Sequence, residues 1–310
     1  MNIALIFPGQ GSQYIGMGKD FFDNSEASKQ IFNNLDETMG LKLSELIFNG
    51  SEEELSKTTN SQPAIMSLSI AILKEINARG LLDGKKIHSV AGHSLGEYSA
   101  LVANNSLAFE DSVKLLKVRS EAMQKSMPIG TGGMAAVLGQ SEDEILLTIE
   151  KLETYGKLFV ANDNADGQIV LSGEINAIDY LCENFKSLGV KRAIKLPVSA
   201  PFHCELINEA SLILKAELEK FSFDVFSYPL YSNVTAEKSN ENNVKALLSK
   251  QVVNRVRWRE TIQNMIRDKV ETFIEIGPGN VLTNLIKRNT KDVKAVSIGK
   301  LSDLDKLKDI

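Results

Sequence analysis

Residues 91–100 read Ala-Gly-His-Ser-Leu-Gly-Glu-Tyr-Ser-Ala, and within them Gly92-His93-Ser94-Leu95-Gly96 fits the pattern G-x-S-x-G. In that pattern a serine sits on a sharp strand-to-helix turn. Small neighbours relieve crowding, and the hydroxyl stands clear of the backbone at the end of a sheet. The flanks agree: His88-Ser89-Val90-Ala91-Gly92 reads as a short apolar strand, and a helix is expected from Leu95. A helix N-terminus favours negative charge, which makes the Leu95 N–H a candidate oxyanion donor. The competing reading is a Gly-Ser turn in which Ser94 only caps the helix.

A serine nucleophile needs a base, and the chain has three histidines. His93 adjoins Ser94, and adjacent residues point apart. His88 lies at the far start of the incoming strand. His203 remains, after Ser199-Ala200-Pro201-Phe202 and at the expected opening of a helix. No acidic residue stands out as a third member. Plain α/β-hydrolases run Ser, then Asp or Glu, then His near the C-terminus, and no histidine follows His203. The pattern therefore points to a Ser–His dyad oriented by other groups. Cys204 beside His203 reads as a packing residue, because helix neighbours do not face each other.

A second glycine loop, Phe7-Pro8-Gly9-Gln10-Gly11-Ser12-Gln13, also follows a strand. A dinucleotide fingerprint would need glycine where Tyr14 stands, and a P-loop would need lysine where Met17 stands. What remains is a tight loop at a sheet end, able to offer a second oxyanion N–H from Gln10. Leu115, Arg119 and Met123 share one face of a helix by phase. An arginine on an apolar face needs a partner. That partner is a protein carboxylate, which periodicity alone favours, or a substrate carboxylate held by the two-pronged guanidinium.

These residues need a frame. The chain has 310 residues, 43% hydrophobic and 24% charged, with net charge −5. Those are globular proportions, and the acidic balance gives no reason to expect nucleic acid. No apolar run is long enough to span a bilayer, and the N-terminus reads as a buried strand rather than a signal peptide. Cys182 and Cys204 are far apart, so free thiols and a cytoplasmic protein are expected. No metal cluster or cofactor fingerprint is found, so no tightly bound cofactor is expected. A long helix is expected to open at Gln62-Pro63 and stop at Gly80, and another to run from about Phe109 to Met127. Lys238–Asn243 reads as one surface loop. Strands at Val270–Ile276 and Val293–Ile298, with a helix from Val281 between them, complete the frame.

The predicted fold class is α/β: a large α/β-hydrolase-like domain with a mostly parallel sheet, interrupted by a small inserted domain. The insert reads strand Met134–Leu138, helix Glu142–Tyr155, strands Lys157–Asn162 and Gln168–Ser172, helix Ile175–Leu188 and strand Lys191–Leu196. That is the ferredoxin-like βαββαβ order. The expected boundaries are 1–129 and 198–310 for the large domain and 130–197 for the small one.

Taken together, several stretches closely resemble the malonyl-CoA:acyl-carrier-protein transacylases of bacterial fatty acid synthesis and the related acyltransferase domains of polyketide synthases. They are Phe7–Gln13, Ser61-Gln62-Pro63-Ala64, Gly92–Glu97, Arg119, Gly167-Gln168-Ile169-Val170, Ser199–His203, Gln251–Trp258 and Gly277-Pro278-Gly279, in family order. The resemblance implies that malonyl-CoA is the substrate and that the holo acyl carrier protein is the acceptor, in a ping-pong reaction. Ser94 would carry the malonyl group and His203 would be base and then acid, its ring held by main-chain oxygen near Gln251. The N–H groups of Gln10 and Leu95 would form the oxyanion hole. Arg119 would grip the malonyl carboxylate with Gln10 and Gln62 as polar neighbours. Phe202 would narrow the pocket, and Met123 is counted with the substrate-binding residues. A monomer is expected, and the small domain is expected to close one side of the cleft. An acidic carrier would need a local basic surface, for which Lys191, Arg192 and Lys195, or Arg255, Arg257 and Arg259, are candidates. Two departures concern loops: the family often has proline at the position of Arg255 and before Gly167-Gln168. Rival readings are a serine thioesterase or esterase, an acyltransferase serving a polyketide synthase, and a carrier-binding scaffold.

Overall fold

Alternate residues of the opening strand face different cores. The computed structural model describes residues 1–310 and contains ten strands. They are β1 (Asn2–Phe7), β2 (Lys86–Gly92), β3 (Gly132–Leu138), β4 (Leu158–Ala165), β5 (Gln168–Glu174), β6 (Arg192–Lys195), β7 (Leu230–Tyr231), β8 (Lys238–Ser239), β9 (Thr272–Ile276) and β10 (Lys294–Ile298). β1 sends Ile3, Leu5 and Phe7 into one apolar cluster and Ala4 and Ile6 into another. A strand apolar on both faces suits the middle of a parallel sheet covered on both sides. β1 occupies that place in a six-stranded sheet of order β10-β9-β1-β2-β7-β8. All pairings are parallel except the terminal β7–β8 hairpin. Helices Thr58–Ala78 and Phe109–Lys125 cover one face, and helices Trp258–Arg267 and Val281–Asn289 cover the other. No helix is long and apolar enough to cross a membrane.

A second, four-stranded antiparallel sheet has the order β4-β5-β3-β6. Its strands also divide their side chains. Ala135, Val137, Ile169 and Leu171 pack against helices Glu142–Leu152 and Ile175–Asn184. Met134, Ala161 and Val170 join the main core instead. The small sheet is thus fastened to the rest by its inner face. Two main-chain bonds add to this at one edge, Val256 N–H to Ala161 O at 2.8 Å and Asp163 N–H to Val256 O at 2.9 Å.

Three expectations need correction. The long helix begins at Thr58, not at Gln62-Pro63. Pro63 is tolerated inside it because only one ladder bond, to Thr59, is lost next to an end that already lacks them. His203 does not open a helix. It has φ +61°, and a short 3-10 turn, Glu205–Ile207, precedes helix Asn208–Leu218. Lys238–Asn243 is not all loop, since Lys238 and Ser239 pair with β7.

The glycines of G-x-S-x-G are fixed by close approach. A Cβ on Gly92 would fall 1.9 Å from the Gly96 carbonyl, and one on Gly96 would fall 2.2 Å from Phe7 O on β1. The turn is therefore wedged between its own helix and the neighbouring strand. Gly92→Ala and Gly96→Ala are each expected to lose more than about 3 kcal/mol in urea unfolding, because rigid backbone is struck. Gly84→Ala, at φ +72° in open space, should lose only ~1–2 kcal/mol from strain. Equal losses at all three would contradict the wedge.

Candidate active site

The parallel register sets the first positions. Phe7 pairs with Gly92, so the loops that leave β1 and β2 at their C-terminal ends lie side by side. Ligand sites in open α/β sheets gather at such ends. Ser94 follows β2 at φ +53°, in the left-handed region that costs a residue with a side chain roughly 1–2 kcal/mol. Asn233, just beyond β7, offsets the strain. Its Oδ1 accepts from Ser94 N–H at 2.7 Å, and its Nδ2 donates to Gly92 O at 2.7 Å.

Ser94 Oγ lies 2.8 Å from His203 Nε2. On the other side of the ring, Nδ1 lies 2.9 Å from the main-chain oxygen of Gln251. Gln251 ends helix Val244–Gln251, where carbonyls have no partner within the helix. That oxygen can only accept, so the neutral ring carries its proton on Nδ1 and leaves Nε2 to accept from the serine. The His203 N–H donates to Val252 O at 3.1 Å, which fixes the backbone as well. The arginine at position 255 leaves this contact intact. Burial, followed by the positive charge of Arg119, pushes the His203 pKa down to about 3. His203 is therefore an uncharged base at neutral pH.

Arg119 is fully buried. Its Nη1 donates to Gln62 Oε1 at 2.7 Å, and its Nη2 donates to Ser94 Oγ and to Gln251 Oε1, both at 2.9 Å. The guanidinium lies 5.6 Å from the centre of the Tyr98 ring, and Nε has no partner. No carboxylate pairs with it directly; of the two partners open from the sequence, a protein carboxylate is ruled out at contact distance. Burial lowers its pKa, but a guanidinium stays protonated at any ordinary pH.

Ser94, His203, Gln10, Gln62, Met123 and Phe202 all line one cavity of about 170 Å³. Through Ser56, Pro197 and Val198 it meets a larger outer cleft of about 800 Å³. The N–H groups of Gln10 and Leu95 donate to no protein acceptor, which leaves both free for an oxyanion. The Gln10 side chain, however, donates to Thr58 Oγ1 at 3.3 Å and not toward Arg119. Gln62 and Met123 touch, with Nε2 3.9 Å from the sulfur.

The other candidates do not join the Ser94–His203 contact, although His93 lines the same cavity. His93 Nε2 bonds Asn164 Oδ1 at 2.8 Å, and His88 Nδ1 bonds Ser89 Oγ at 3.1 Å. Burial raises the Cys204 thiol to about 11, so it is held protonated beside Pro201 O. Arg255, Arg257 and Arg259 are not a free basic patch, since they pair with Glu142, Glu260 and Asp163. Lys195 pairs with Asp179, while Lys191 and Arg192 are exposed without a carboxylate partner. Two residues that touch the dyad's supports escaped the sequence reading. Asn233 could have been sought as a polar residue at a strand end beside the nucleophile's strand. Glu97 lies in the quoted turn, but nothing in its spacing signals burial.

Nitrogen-15 NMR of the three histidines should show His203 neutral at pH 5 with its proton on Nδ1. A ring that titrates near 6.5, or carries its proton on Nε2, would contradict this geometry.

The family model described as Acyl transferase domain matches residues 4–304. A malonyl CoA-acyl carrier protein transacylase of Bacillus subtilis is 43% identical over 298 residues, covering 96% of this chain and 93% of that protein. The crystal structure of such a transacylase from Clostridium perfringens is similar at TM-score 0.92 and 42% identity, over 100% of this chain and 96% of that one. A malonyl-transacylase solved in complex with a type II PKS acyl-carrier protein matches at TM-score 0.95 and 34% identity, over all of both chains. A match from residue 4 to residue 304, with relatives of this identity across it, means that the chain belongs to the acyl transferase domain family and, within it, to the malonyl CoA-acyl carrier protein transacylases.

Proposed function

We propose that the chain transfers the malonyl group from malonyl-CoA to the phosphopantetheine thiol of the holo acyl carrier protein, supplying fatty acid synthesis in the cytoplasm. The observation that carries the site assignment is the Ser94–His203–Gln251 chain with Arg119 at its head. His203 Nε2 takes the Ser94 proton as Oγ attacks the thioester carbon. The oxyanion forms against the N–H groups of Gln10 and Leu95. The imidazolium is stabilised by the Gln251 carbonyl at a helix C-terminus. It then protonates the departing CoA sulfur. In the second half the carrier thiol gives its proton to His203 and attacks the acyl-serine, and Ser94 recovers its hydrogen.

The acyl carboxylate takes over the Arg119 Nη2 hydrogen that Ser94 Oγ holds in the free enzyme, with Gln62 beside it. Phe202 and Met123 bound the acyl cavity, and the outer cleft receives the pantetheine arm. The division at 130–197 is part of this reading. The βαββαβ order and the strand order β4-β5-β3-β6 support a ferredoxin-like insert, and the parallel sheet with its serine turn supports a hydrolase-like frame.

Intact mass spectrometry after mixing with malonyl-CoA tests the proposal. Wild type should gain one malonyl group that persists in buffer and passes to holo carrier protein, and Ser94→Ala should gain none. Rapid loss to water without transfer would favour the thioesterase reading. No adduct from any acyl-CoA would leave the scaffold.

A further inference from the structure

Glu97 is a buried ionisable group beside the dyad that the reaction above does not use. It sits in the first turn of helix Gly96–Ala103 with no exposed surface. Its Oε2 accepts from Gln251 Nε2 at 2.6 Å and from Asn233 N–H at 3.3 Å, Oε1 lacks a well-aligned donor, and the Ser232 hydroxyl also faces the carboxylate. No lysine or arginine pairs with it directly. Its nearest opposite charge is Arg119, across a single carboxamide. Gln251 presents Oε1 to Arg119 Nη2 at 2.9 Å and Nε2 to Glu97. That orientation has one sense only: a carboxylate can accept but not donate, and a guanidinium can donate but not accept.

We propose that Glu97 is a positioning residue that holds the Gln251 carboxamide toward Arg119 and stands in for the acyl carboxylate in the free enzyme, taking up a proton when a charged acyl group reaches the guanidinium. The inference rests on the reading that Arg119 meets the malonyl carboxylate. Two carboxylates around one guanidinium would leave a net negative charge in a dry interior, which is costly. Glu97 is the member free to become neutral. Burial has already pushed its pKa up to about 7, against the opposing hydrogen bonds of Gln251, Asn233 and Ser232 and the charge of Arg119. The other groups around it do not titrate in that range. Arg119 stays charged. His203 is pushed down to about 3, His93 is lowered by burial, and Tyr98 is raised well above its usual range. Acetyl-CoA, which brings no carboxylate, should leave Glu97 as it was.

The test counts protons and adducts together. Weakly buffered enzyme with a pH indicator is mixed with malonyl-CoA or acetyl-CoA, and the adduct is measured by mass. Acyl transfer itself releases no net proton, since the serine hydrogen ends on CoA sulfur. Malonyl loading should take up a fraction of a proton, about half or more per adduct between pH 7 and 8, and almost none at pH 5, where Glu97 is already protonated. Acetyl loading should take up none. In Glu97→Gln the uptake on malonyl loading should vanish while adduct is still counted. Wild type that loads malonyl with no uptake would overturn the proposal, as would equal uptake with acetyl or undiminished uptake in Glu97→Gln. If Glu97→Gln fails to fold, the malonyl–acetyl difference in wild type decides alone. Failure of wild type to load malonyl would instead sink the functional reading.

Discussion

A guanidinium with no carboxylate in contact, sealed away from water, is the constraint around which this cleft is arranged. Arg119 donates to three neutral oxygens, from Gln62, Gln251 and Ser94, and its Nε has no partner. Neutral acceptors only partly offset the desolvation of a charge. The site is therefore built with a preference for an anion that Glu97 meets only through a carboxamide, with the proposed nucleophile Ser94 in direct contact with the guanidinium. An acyl group bearing its own carboxylate meets that preference, and one without it does not. In the proposed function, that preference is what selects the acyl group by charge.

Holding such an arrangement takes rigid supports. Gln251 alone touches Arg119 through its side chain, His203 through its main chain, and both Ser94 O and Glu97 through its amide nitrogen. Both dyad residues sit at positive φ, and both are pinned by hydrogen bonds from separate segments. The strain is borne by the sheet, whose parallel strands β1, β2 and β7 deliver Gln10, Ser94 and Asn233 to one edge. The small sheet forms a wall packed into the main core through Met134, Ala161 and Val170.

Much of this was legible in the chain because certain residues have few uses. Three histidines left one base by elimination, and the two glycines around Ser94 named a wedged turn. Strand and helix periods placed nearly every element of both sheets. What the sequence hid were contacts made across long separations. The helix start at Thr58 was obscured by Pro63, whose local meaning is a first turn. His203 looked like a helix opener because its left-handed backbone is imposed by Val252 and Gln251, half a hundred residues on. Periodicity favoured a carboxylate for Arg119, yet the partners are amides and a hydroxyl. Glu97 stands three residues after Ser94 but nothing in its spacing signals its burial, and only the fold brings Asn233 to Ser94.

The most direct measurement is single-turnover acylation of Ser94 by malonyl-CoA and by acetyl-CoA, in wild type and in Arg119→Ala. For malonyl-CoA, kcat/KM should fall by ~30-fold or more, since truncating one partner of a buried charge pair costs about 2–5 kcal/mol. The acetyl value should change far less, so that the preference between the two substrates collapses or inverts. Equal losses for both substrates would make Arg119 a structural prop, and an unchanged malonyl value would mean that the buried charge does not select the acyl group.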